Sequence, residues 1–485
     1  MSRFNTVKEK GRTKTVNLAG GEAYKQSPEL QLVSTLLTSF AQDQFYKTGD
    51  TTVSEIGAMI DALKDKKFAA QAAIYARNEF GMRSITHVTA AEIAARVKGE
   101  SWTKNFIDKV VYRVDDMLEI VSYYMAQHGK PIPNSIKKGL RTAFGRFDGY
   151  QLAKYKSAGS EFSLVDLVNL VHPTPNEKNA EALTKLMKGE LKRTGTWEDK
   201  MTKVGQTAEN KKDKQEMKAQ VWSEMIAEKK LGYFALLKNL RNILADADEQ
   251  TVEAACSMLV DRKQIKKSLV LPFRFLTAFK ELQKVSGSAK VLKAIAQAAE
   301  ISLDNVPKLP GKTLVALDVS GSMRSANAKM NYSIVEIAAQ FATVLVKANE
   351  ADLIMFEGNA KYFNLSPTVD LMSGIQLLSR MDGGSTNFHA IFETADKAYD
   401  RIIILSDMQA WVGYYSPHET FNTYCQRVGQ RPKVYSFDLA GYSTMQFPEQ
   451  QVCALAGFSD KIFDIMALLE TDPKALVNKI KQIEI

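Results

Sequence analysis

The sequence contains few of the residues that build disulfide frameworks and hydrolytic active sites. Its three cysteines, Cys256, Cys425 and Cys453, are far apart and lack metal-ligand spacing, which excludes a disulfide framework and fits a reducing compartment. Its five histidines are scattered, and no Ser/His/Asp, Cys/His or paired-carboxylate arrangement is evident. We therefore expect a protein without catalytic activity of its own.

Long apolar runs are also missing. No stretch approaches the roughly 18 consecutive apolar residues of a transmembrane helix, and residues 1–25 are polar and basic, without the apolar centre of a signal peptide. These absences predict a soluble, cytoplasmic protein. A chain of 485 residues with 45% hydrophobic residues is too long for one core and can fill more than one, so we expect two or three domains.

Positive charge is unevenly distributed along the chain. Residues 306–485 contain 16 Lys and Arg against 19 Asp and Glu, a balance of −3, whereas residues 1–305 contain 48 against 36, a balance of +12. A basic surface confined to one part of a protein favours a polyanionic partner such as nucleic acid, although solvated lysines are also common on helices. The charge alone leaves both interpretations open.

Residues 29–302 have the apolar spacing of successive short helices. In the segment after Ser163, Leu164, Leu167, Val168 and Val171 form one apolar stripe, and Ser163 with Asp166 has the spacing of a capping box. Short helices with one stripe each predict a HEAT-like α-solenoid, with a compact helical bundle as the alternative. The polar residues 189–216 include a charged run at 211–214 that is typical of a solvated loop or helix, and they are expected to interrupt this array.

The pattern changes class after residue 305. Two prolines and a glycine within residues 305–311 end helix formation, and buried apolar runs then alternate with helical segments. We expect strands at 313–319, 352–356, 401–406 and 433–437, and therefore an α/β domain with a mostly parallel sheet. The predicted organisation is a helical domain at 1–305 and an α/β domain at 306–485.

Oxygen-bearing side chains cluster where the strands of this second domain end. Asp318, Ser320 and Ser322 follow the first strand, Asp407 follows the strand at 401–406, and Thr386 lies in a glycine-rich loop. Ligands of such sheets bind beyond the carboxyl ends of the strands. An all-oxygen set suits a hard cation, so we expect Mg²⁺, with Mn²⁺ or Ca²⁺ able to replace it.

This arrangement resembles the metal-ion-dependent adhesion site of von Willebrand factor A domains. The similarity covers residues 311–485 and all five ligand positions: an Asp-x-Ser-x-Ser motif, a threonine near the middle of the domain and an aspartate after an apolar strand. It implies a Rossmann-like fold. The metal could recruit a carboxylate or phosphate of a partner, or it could only order the surrounding loops.

The helical part is similar to the TROVE domain of Ro autoantigen proteins, in the compact form found in bacteria or phages. The stretches that carry the similarity are MRSITH at 82–87, KYK at 154–156, DLVNLVHP at 166–173, LGYFALLKNLRN at 231–242 and PFRF at 272–275. The resemblance implies a ring of HEAT-like repeats that binds small non-coding Y RNA on its outer basic surface. It also implies a central hole that admits single-stranded ends of misfolded RNA, a monomeric protein and an exoribonuclease as a partner.

Several basic residues agree with this implication. Six cations fall within twenty residues, and they are Lys137, Lys138, Arg141, Arg146, Lys154 and Lys156. Such side chains neutralise phosphates, and a nearby histidine can bond a phosphate or a 2′-hydroxyl. By resemblance, Lys154, Lys156 and His172 occupy the positions used for Y RNA. His87, in an apolar helical stretch, is expected to be a packing residue.

Two other functions fit parts of the sequence. A protein-interaction adaptor would use the metal site to hold an acidic side chain of its partner, with the helices as a frame. An accessory subunit of an ATP-driven chelatase or chaperone assembly would also contain a von Willebrand A domain, but it should lack the similarity from Lys154 to His172. The favoured prediction is an RNA-binding protein of a Ro ribonucleoprotein, acting in RNA quality control or processing.

Overall fold

The computed structural model describes residues 14–16, 22–25, 27–38, 49–155, 162–192, 197–327, 332–381, 383–409, 417–440, 444–445, 452–456, 466 and 475–485. In these ranges a helical array is followed by an α/β domain, as the sequence predicted. None of the helices described there is both long enough and apolar enough to cross a membrane.

Helices follow one another from residue 28 to residue 302. Their bounds are α1 (Pro28–Thr38), α2 (Gly49–Ala62), α3 (Lys67–Asn78), α4 (Ser84–Arg96), α5 (Trp102–Val110), α6 (Val114–His128), α7 (Asn134–Phe144), α8 (Gly149–Tyr155), α9 (Leu164–Val171), α10 (Ala180–Met187), α11 (Trp197–Thr207), α12 (Lys211–Ala227), α13 (Tyr233–Asp246), α14 (Glu249–Leu259), α15 (Arg262–Ser268), α16 (Phe275–Gln283) and α17 (Ala289–Ser302), with 3-10 turns at Pro272–Arg274 and Leu303–Asn305. Most contacts between helices join near neighbours in the chain, such as α5 with α7 and α16 with α17. This locality is typical of an array of stacked repeats.

Helix α9 shows how the sequence sets one of these elements. Ser163 accepts a hydrogen bond from the backbone of Asp166, and the Asp166 carboxylate accepts one from the backbone of Ser163, so the expected capping box is present. Hydrogen bonds from Ser163 hold the pKa of Asp166 below its ordinary value. Leu164, Leu167 and Val171 form the buried stripe of the helix. Of the two alternatives for the charged run at 211–214, the structure has the helix, and most of the polar residues 189–216 belong to α11 and α12 rather than interrupting the array.

A fully satisfied polar cluster lies inside the first helices. The carboxylate of Asp116 accepts hydrogen bonds from the Arg77 guanidinium at 2.7 Å and from the backbone amides of Tyr112 and Arg113 at 2.9 and 2.8 Å. His87 Nε2 lies 2.9 Å from the same carboxylate, which makes His87 the packing residue that was expected. Burial alone would raise the pKa of Asp116, but the hydrogen bonds and charges of His87 and Arg77 outweigh it and hold that pKa well below its ordinary value.

The α/β domain is built on a six-stranded sheet. Its strands are β3 (Thr313–Asp318), β6 (Asp352–Phe356), β7 (Ala360–Tyr362), β8 (Arg401–Ser406), β9 (Lys433–Asp438) and β11 (Val452–Ala456), and its helices are α18 (Ile334–Asn349), α19 (Leu371–Ser379), α20 (His389–Thr394), α21 (Pro417–Val428) and α22 (Ala475–Lys481). The spatial order is β11-β9-β8-β3-β6-β7, and all pairs are parallel except β6 with β7. Two-residue strands at Ala326–Asn327 (β4) and Tyr332–Ser333 (β5) form a small hairpin between β3 and α18.

Both ends of the helical array are attached to the α/β domain. Near the first end, α22 packs on α3, and the buried Gln71 side chain donates to the carbonyls of Lys481 and Ile483, each at 2.8 Å. The N-terminal strands β1 (Lys14–Val16) and β2 (Glu22–Lys25) pair with β10 (Thr444–Met445). At the other end, α17 contacts α19, and Gln340 of α18 donates to the carbonyl of Phe273. The α/β domain therefore bridges the two ends of the array.

Candidate functional site

The predicted metal ligands lie where the order of the sheet reverses. After β3 the chain continues to β6 on one side of the sheet, whereas after β8 it continues to β9 on the other side. β3 and β8 are adjacent, and Leu317 pairs in register with Leu405. Asp318 is the last residue of β3 and Asp407 follows the last residue of β8, so both carboxylates stand at the switch point, where ligands of doubly wound sheets bind.

The Asp-x-Ser-x-Ser turn brings three of the expected ligands together. Asp318 Oδ1 accepts a hydrogen bond from the backbone amide of Ser320 at 2.9 Å, and the hydroxyl oxygens of Ser320 and Ser322 are 3.5 Å apart. Asp318 and Ser320 are buried, whereas Ser322 is half-buried. The turn therefore groups one carboxylate and two hydroxyls and leaves access from the Ser322 side.

A glycine-rich loop carries Thr386 to the same turn. The backbone amide of Gly321 donates to the carbonyl of Gly384 at 3.1 Å, which joins the loop to the motif. A side chain at Gly383 would place its Cβ 2.7 Å from Glu357 Cβ and 2.8 Å from the Val319 carbonyl, so only glycine fits there. Thr386, two residues after this attachment, is buried. The structure thus brings the end of β3, the end of β8 and the glycine-rich loop to one edge of the sheet.

Two residues that sequence analysis did not select support this arrangement. Ser406 donates its hydroxyl hydrogen to Asp318 Oδ2, which fixes the carboxylate across the β3–β8 pair. The Glu357 carboxylate accepts from the backbone amides of Gly358 and Gly384 at 2.7 and 3.3 Å, and these bonds keep the pKa of Glu357 low. Ser406 could have been found from its place beside Asp407 at a strand end. Glu357 carries no such signal, because its second partner, Gly384, lies on a loop 27 residues away in the chain.

The carboxylates of Asp318 and Asp407 are both buried, and the charge of Asp407 acts on Asp318. Burial raises the pKa of Asp318, and the neighbouring Asp407 raises it further; burial also raises the pKa of Asp407. Oδ2 of Asp407 is buried without a hydrogen-bond partner among the described residues. Neither carboxylate forms an ion pair in the part of the chain that the structure describes. A hard cation would satisfy both groups, and the oxygen-only set suits Mg²⁺.

The described residues predicted to bind RNA include members of three consecutive helices and the residue that ends the last of them. Lys137, Lys138 and Arg141 belong to α7, Lys154 is near the end of α8, and His172 is the residue that ends α9. All are exposed except Lys137, which is half-buried. Arg141 Nε donates to the carbonyl of Val171 at 2.7 Å, so the Arg141 side chain reaches the residue next to His172. Lys156 lies outside the described residues.

Two asparagines hold the segment after His172 against the turn between α7 and α8. Asn179 Nδ2 donates to the carbonyls of Phe144 and Phe147, at 2.9 and 3.2 Å, and Asn176 Nδ2 donates to the carbonyl of Gly145 at 2.9 Å. His172 itself has a left-handed backbone, with φ of 48°. These bonds hold the segment that follows His172 against the end of α7.

Arg146 differs from the other predicted RNA-binding residues. Its guanidinium forms an ion pair with Asp108 and donates to the carbonyls of Asp108 and Val111, at 2.7 and 2.9 Å. The donors of Arg146 are thus occupied within the protein, where they tie the end of α7 to α5. This side chain contributes positive potential, but it is less available to a phosphate than Lys138 or Lys154.

Two family models match this chain. The TROVE domain matches residues 24–204 and 191–306, and the Ro60 vWA domain matches residues 312–469. The chain is 28% identical to the RNA-binding protein RO60 of Deinococcus radiodurans over 222 residues, which are 41% of either protein. It is 22% identical to telomerase protein component 1 of Rattus norvegicus over 344 residues, 55% of this chain and 13% of that protein.

Another relative and a solved structure agree with these matches. The RNA-binding protein RO60 of Caenorhabditis elegans is 24% identical over 225 residues, 43% of this chain and 35% of that protein. These alignments span less than half of each curated relative. The crystal structure of the Ro (RSR) protein of Deinococcus radiodurans superposes with a TM-score of 0.65 and 18% identity, covering 91% of this chain and 99% of that chain. This last likeness supports the fold described above.

Proposed function

Since this chain belongs to the TROVE-domain family and contains a Ro60-type vWA domain, we propose that it is an RNA-binding protein that acts as the protein component of a Ro-type ribonucleoprotein. The observation that carries the proposal is the joint match of both domain models to a chain whose positive charge is confined to the helical part. Relatives that match this chain are named RNA-binding proteins.

The basic surface of α7, α8 and α9 is the proposed site for a small structured RNA of the Y type. Exposed Lys138, Arg141 and Lys154 would neutralise phosphates, and His172 would bond a phosphate or a 2′-hydroxyl. Lys137 and Lys156 are proposed to extend this surface. Binding of this kind weakens steeply as salt rises, because each neutralised phosphate releases counterions.

The α/β domain bridges the two ends of the helical array, which supports a closed ring. We propose that the hole of this ring admits single-stranded ends of misfolded RNA. The protein would act by binding and by controlling access of an exoribonuclease, without catalysing a reaction itself. We propose that the protein has this role in RNA quality control or processing. It would act as a monomer in the cytoplasm.

We also propose that Asp318, Ser320, Ser322, Thr386 and Asp407 hold one divalent cation, most readily Mg²⁺, with Mn²⁺ or Ca²⁺ as substitutes. The unpartnered Oδ2 of Asp407 supports this proposal. The cation would neutralise the two buried carboxylates and order the loops that meet at the switch point, and an open coordination position could take an oxygen ligand of a partner.

Purification of the tagged protein from its native host, followed by sequencing of bound nucleic acid, tests the function. We expect a defined small RNA in the wild type and at least about a 10-fold loss of it in a Lys154→Ala/Lys156→Ala/His172→Ala variant. A protein that carries no nucleic acid, or RNA recovery that this variant does not change, would contradict the proposal.

A second function is a metal-dependent adaptor that binds proteins without RNA. The half-buried Ser322 beside the buried carboxylates of Asp318 and Asp407 favours it, because this opening could admit a carboxylate of a partner to the cation. In that case, protein partners would remain bound after ribonuclease treatment and would be lost in Asp318→Ala. Partners released by ribonuclease would support the RNA-binding function instead.

A further inference from the structure

A second basic surface lies in a distant part of the helical array. Helix α15 has seven residues, RKQIKKS, of which Arg262, Lys263, Lys266 and Lys267 are basic and exposed. Arg262 pairs with Asp304 at 2.8 Å, whereas no ion pair within the described ranges involves the three lysines. Helix α15 contacts α13, α14 and α17, so it is separate from the surface on α7, α8 and α9.

An exposed leucine stands at the end of this helix. Leu269 is 70% exposed and has a left-handed backbone, with φ of 53° and ψ of 27°. Helices that end in this conformation usually have glycine or asparagine there, because the Cβ of most other residues is strained in it. Leu269 therefore combines a strained backbone with an apolar side chain in water.

The fold requires the left-handed turn but not the leucine. Asn305 Nδ2 donates to the carbonyls of Ile265 and Val270, at 3.2 and 2.8 Å, and the side chains of Ile265 and Val270 are buried. These anchors fix the turn on both sides of Leu269. Glycine would satisfy the same backbone without strain. The packing of the protein thus gives no reason for a leucine at this position.

We propose that Leu269 and the lysines of α15 form a second RNA contact, an inference that rests on the RNA-binding function proposed above. Lysines without an ion pair on one short helix match a polyanion, and they would neutralise phosphates beside the turn. The Leu269 side chain packs against the face of an unstacked base or of the last base pair of a helix, as apolar wedges do in other nucleic-acid complexes. RNA held at α7–α9 would be contacted again at α15.

Substitutions at Leu269 separate this role from a structural one. Leu269→Gly removes both the side chain and the strain, whereas Leu269→Ala removes the side chain and keeps most of the strain. We expect both variants to bind a fluorescein-labelled stem–loop RNA with a single-stranded 3′ tail about 3- to 10-fold more weakly than the wild type. Leu269→Gly should also raise the Tm by about 1–3 °C, while Leu269→Ala should not.

The lysines of α15 are tested by comparing two double variants that each lose two positive charges. Lys266→Gln/Lys267→Gln should bind the same RNA about 10-fold more weakly than the wild type. It should also lower the steepness of the plot of log affinity against log salt concentration by about 1.5. The control Lys64→Gln/Lys98→Gln removes two exposed lysines elsewhere, and its affinity should stay within about 2-fold of the wild type.

The outcomes distinguish two failures. If the wild type does not bind the RNA, both the proposed function and this inference are contradicted. A wild type that binds, with Leu269 and Lys266/Lys267 variants of unchanged affinity, overturns only the second contact. If those variants bind RNA normally but lose binding to vesicles of anionic phospholipid, the surface serves a membrane and the inference is wrong.

Discussion

The two regions of this molecule bury carboxylates in opposite ways. In the helical array, Asp116 is surrounded by Arg77, His87 and two backbone amides, and its pKa is held low. In the α/β domain, Asp318 and Asp407 lie together without a cationic partner in the described ranges, and burial raises their pKa values. Burial of an acid therefore does not identify a binding site. The two cases differ in whether the protein itself supplies a compensating positive charge beside the buried carboxylate.

The largest effect should come from breaking the satisfied cluster. Asp116→Asn leaves the buried Arg77 without its counter-charge, so the free energy of unfolding should fall by about 3–5 kcal/mol. Urea unfolding measures the loss, and amide hydrogen exchange should locate it in α3, α4 and α6. The neighbouring Asp115→Asn is the control, because its ion pairs with Arg83 and Arg113 are closer to the surface and should contribute about 1 kcal/mol or less. Equal losses in the two variants would show that the buried Asp116 contributes no more to stability than the more exposed Asp115.

Adding a cation should stabilise the unsatisfied cluster. Mg²⁺ at about 100 times its dissociation constant should raise the free energy of unfolding of the α/β domain by about 2.7 kcal/mol, by mass action on the folded state. Thermal unfolding with Mg²⁺ or with a chelator measures the shift. If Mg²⁺ stabilises wild type and Asp407→Asn equally, the cation binds elsewhere.

Acid should weaken the stabilisation that Asp116 provides in the helical array. Because the folded pKa of Asp116 lies below its unfolded value, its stabilisation is present above about pH 4 and is lost as the pH falls toward the folded pKa, by up to about 1.4 kcal/mol per pH unit. The difference in unfolding free energy between wild type and Asp116→Asn should thus be constant above about pH 5 and shrink in stronger acid. A difference that grows on acidification would show that Asp116 is not stabilised as an anion.

The smallest effect on the free energy of unfolding should follow substitution of Asp407, beside Asp318, when no metal is present. In the presence of a chelator, Asp407→Asn removes one of two like charges, so the unfolding free energy should be unchanged or should rise by about 1 kcal/mol. This sign is opposite to that of Asp116→Asn, although both changes replace one carboxylate by an amide. A loss of several kcal/mol would mean that Asp407 is structural.

Local sequence predicted the elements whose causes are local. The buried strands β3, β6 and β8 were evident from apolar runs, and the capping box of α9 from the spacing of Ser163 and Asp166. The residues predicted to hold a cation were selected because each stands near a strand end or in a glycine-rich loop. In each case neighbouring residues carry the physical cause.

Other features depend on contacts between distant residues. The polar segment at 189–216 forms helices because Asn210 caps α12 and the array buries Trp222, and neither effect can be seen in hydrophobic spacing. The partners of Asp116 come from three places in the chain, so their grouping cannot be predicted from one segment. Arg146 was grouped with surface cations, yet its donors are occupied by α5.

The most direct test of the account is whether RNA binding depends on the helical array and not on the α/β domain. Equilibrium binding of a stem–loop RNA with a single-stranded tail is measured at one salt concentration for three proteins: the wild type, Lys154→Ala/His172→Ala and Asp407→Asn. We predict that the first variant binds about 10-fold more weakly and that Asp407→Asn stays within about 2-fold of the wild type. A first variant that binds as tightly as the wild type, or an Asp407→Asn variant that loses as much affinity as the first, would contradict the account.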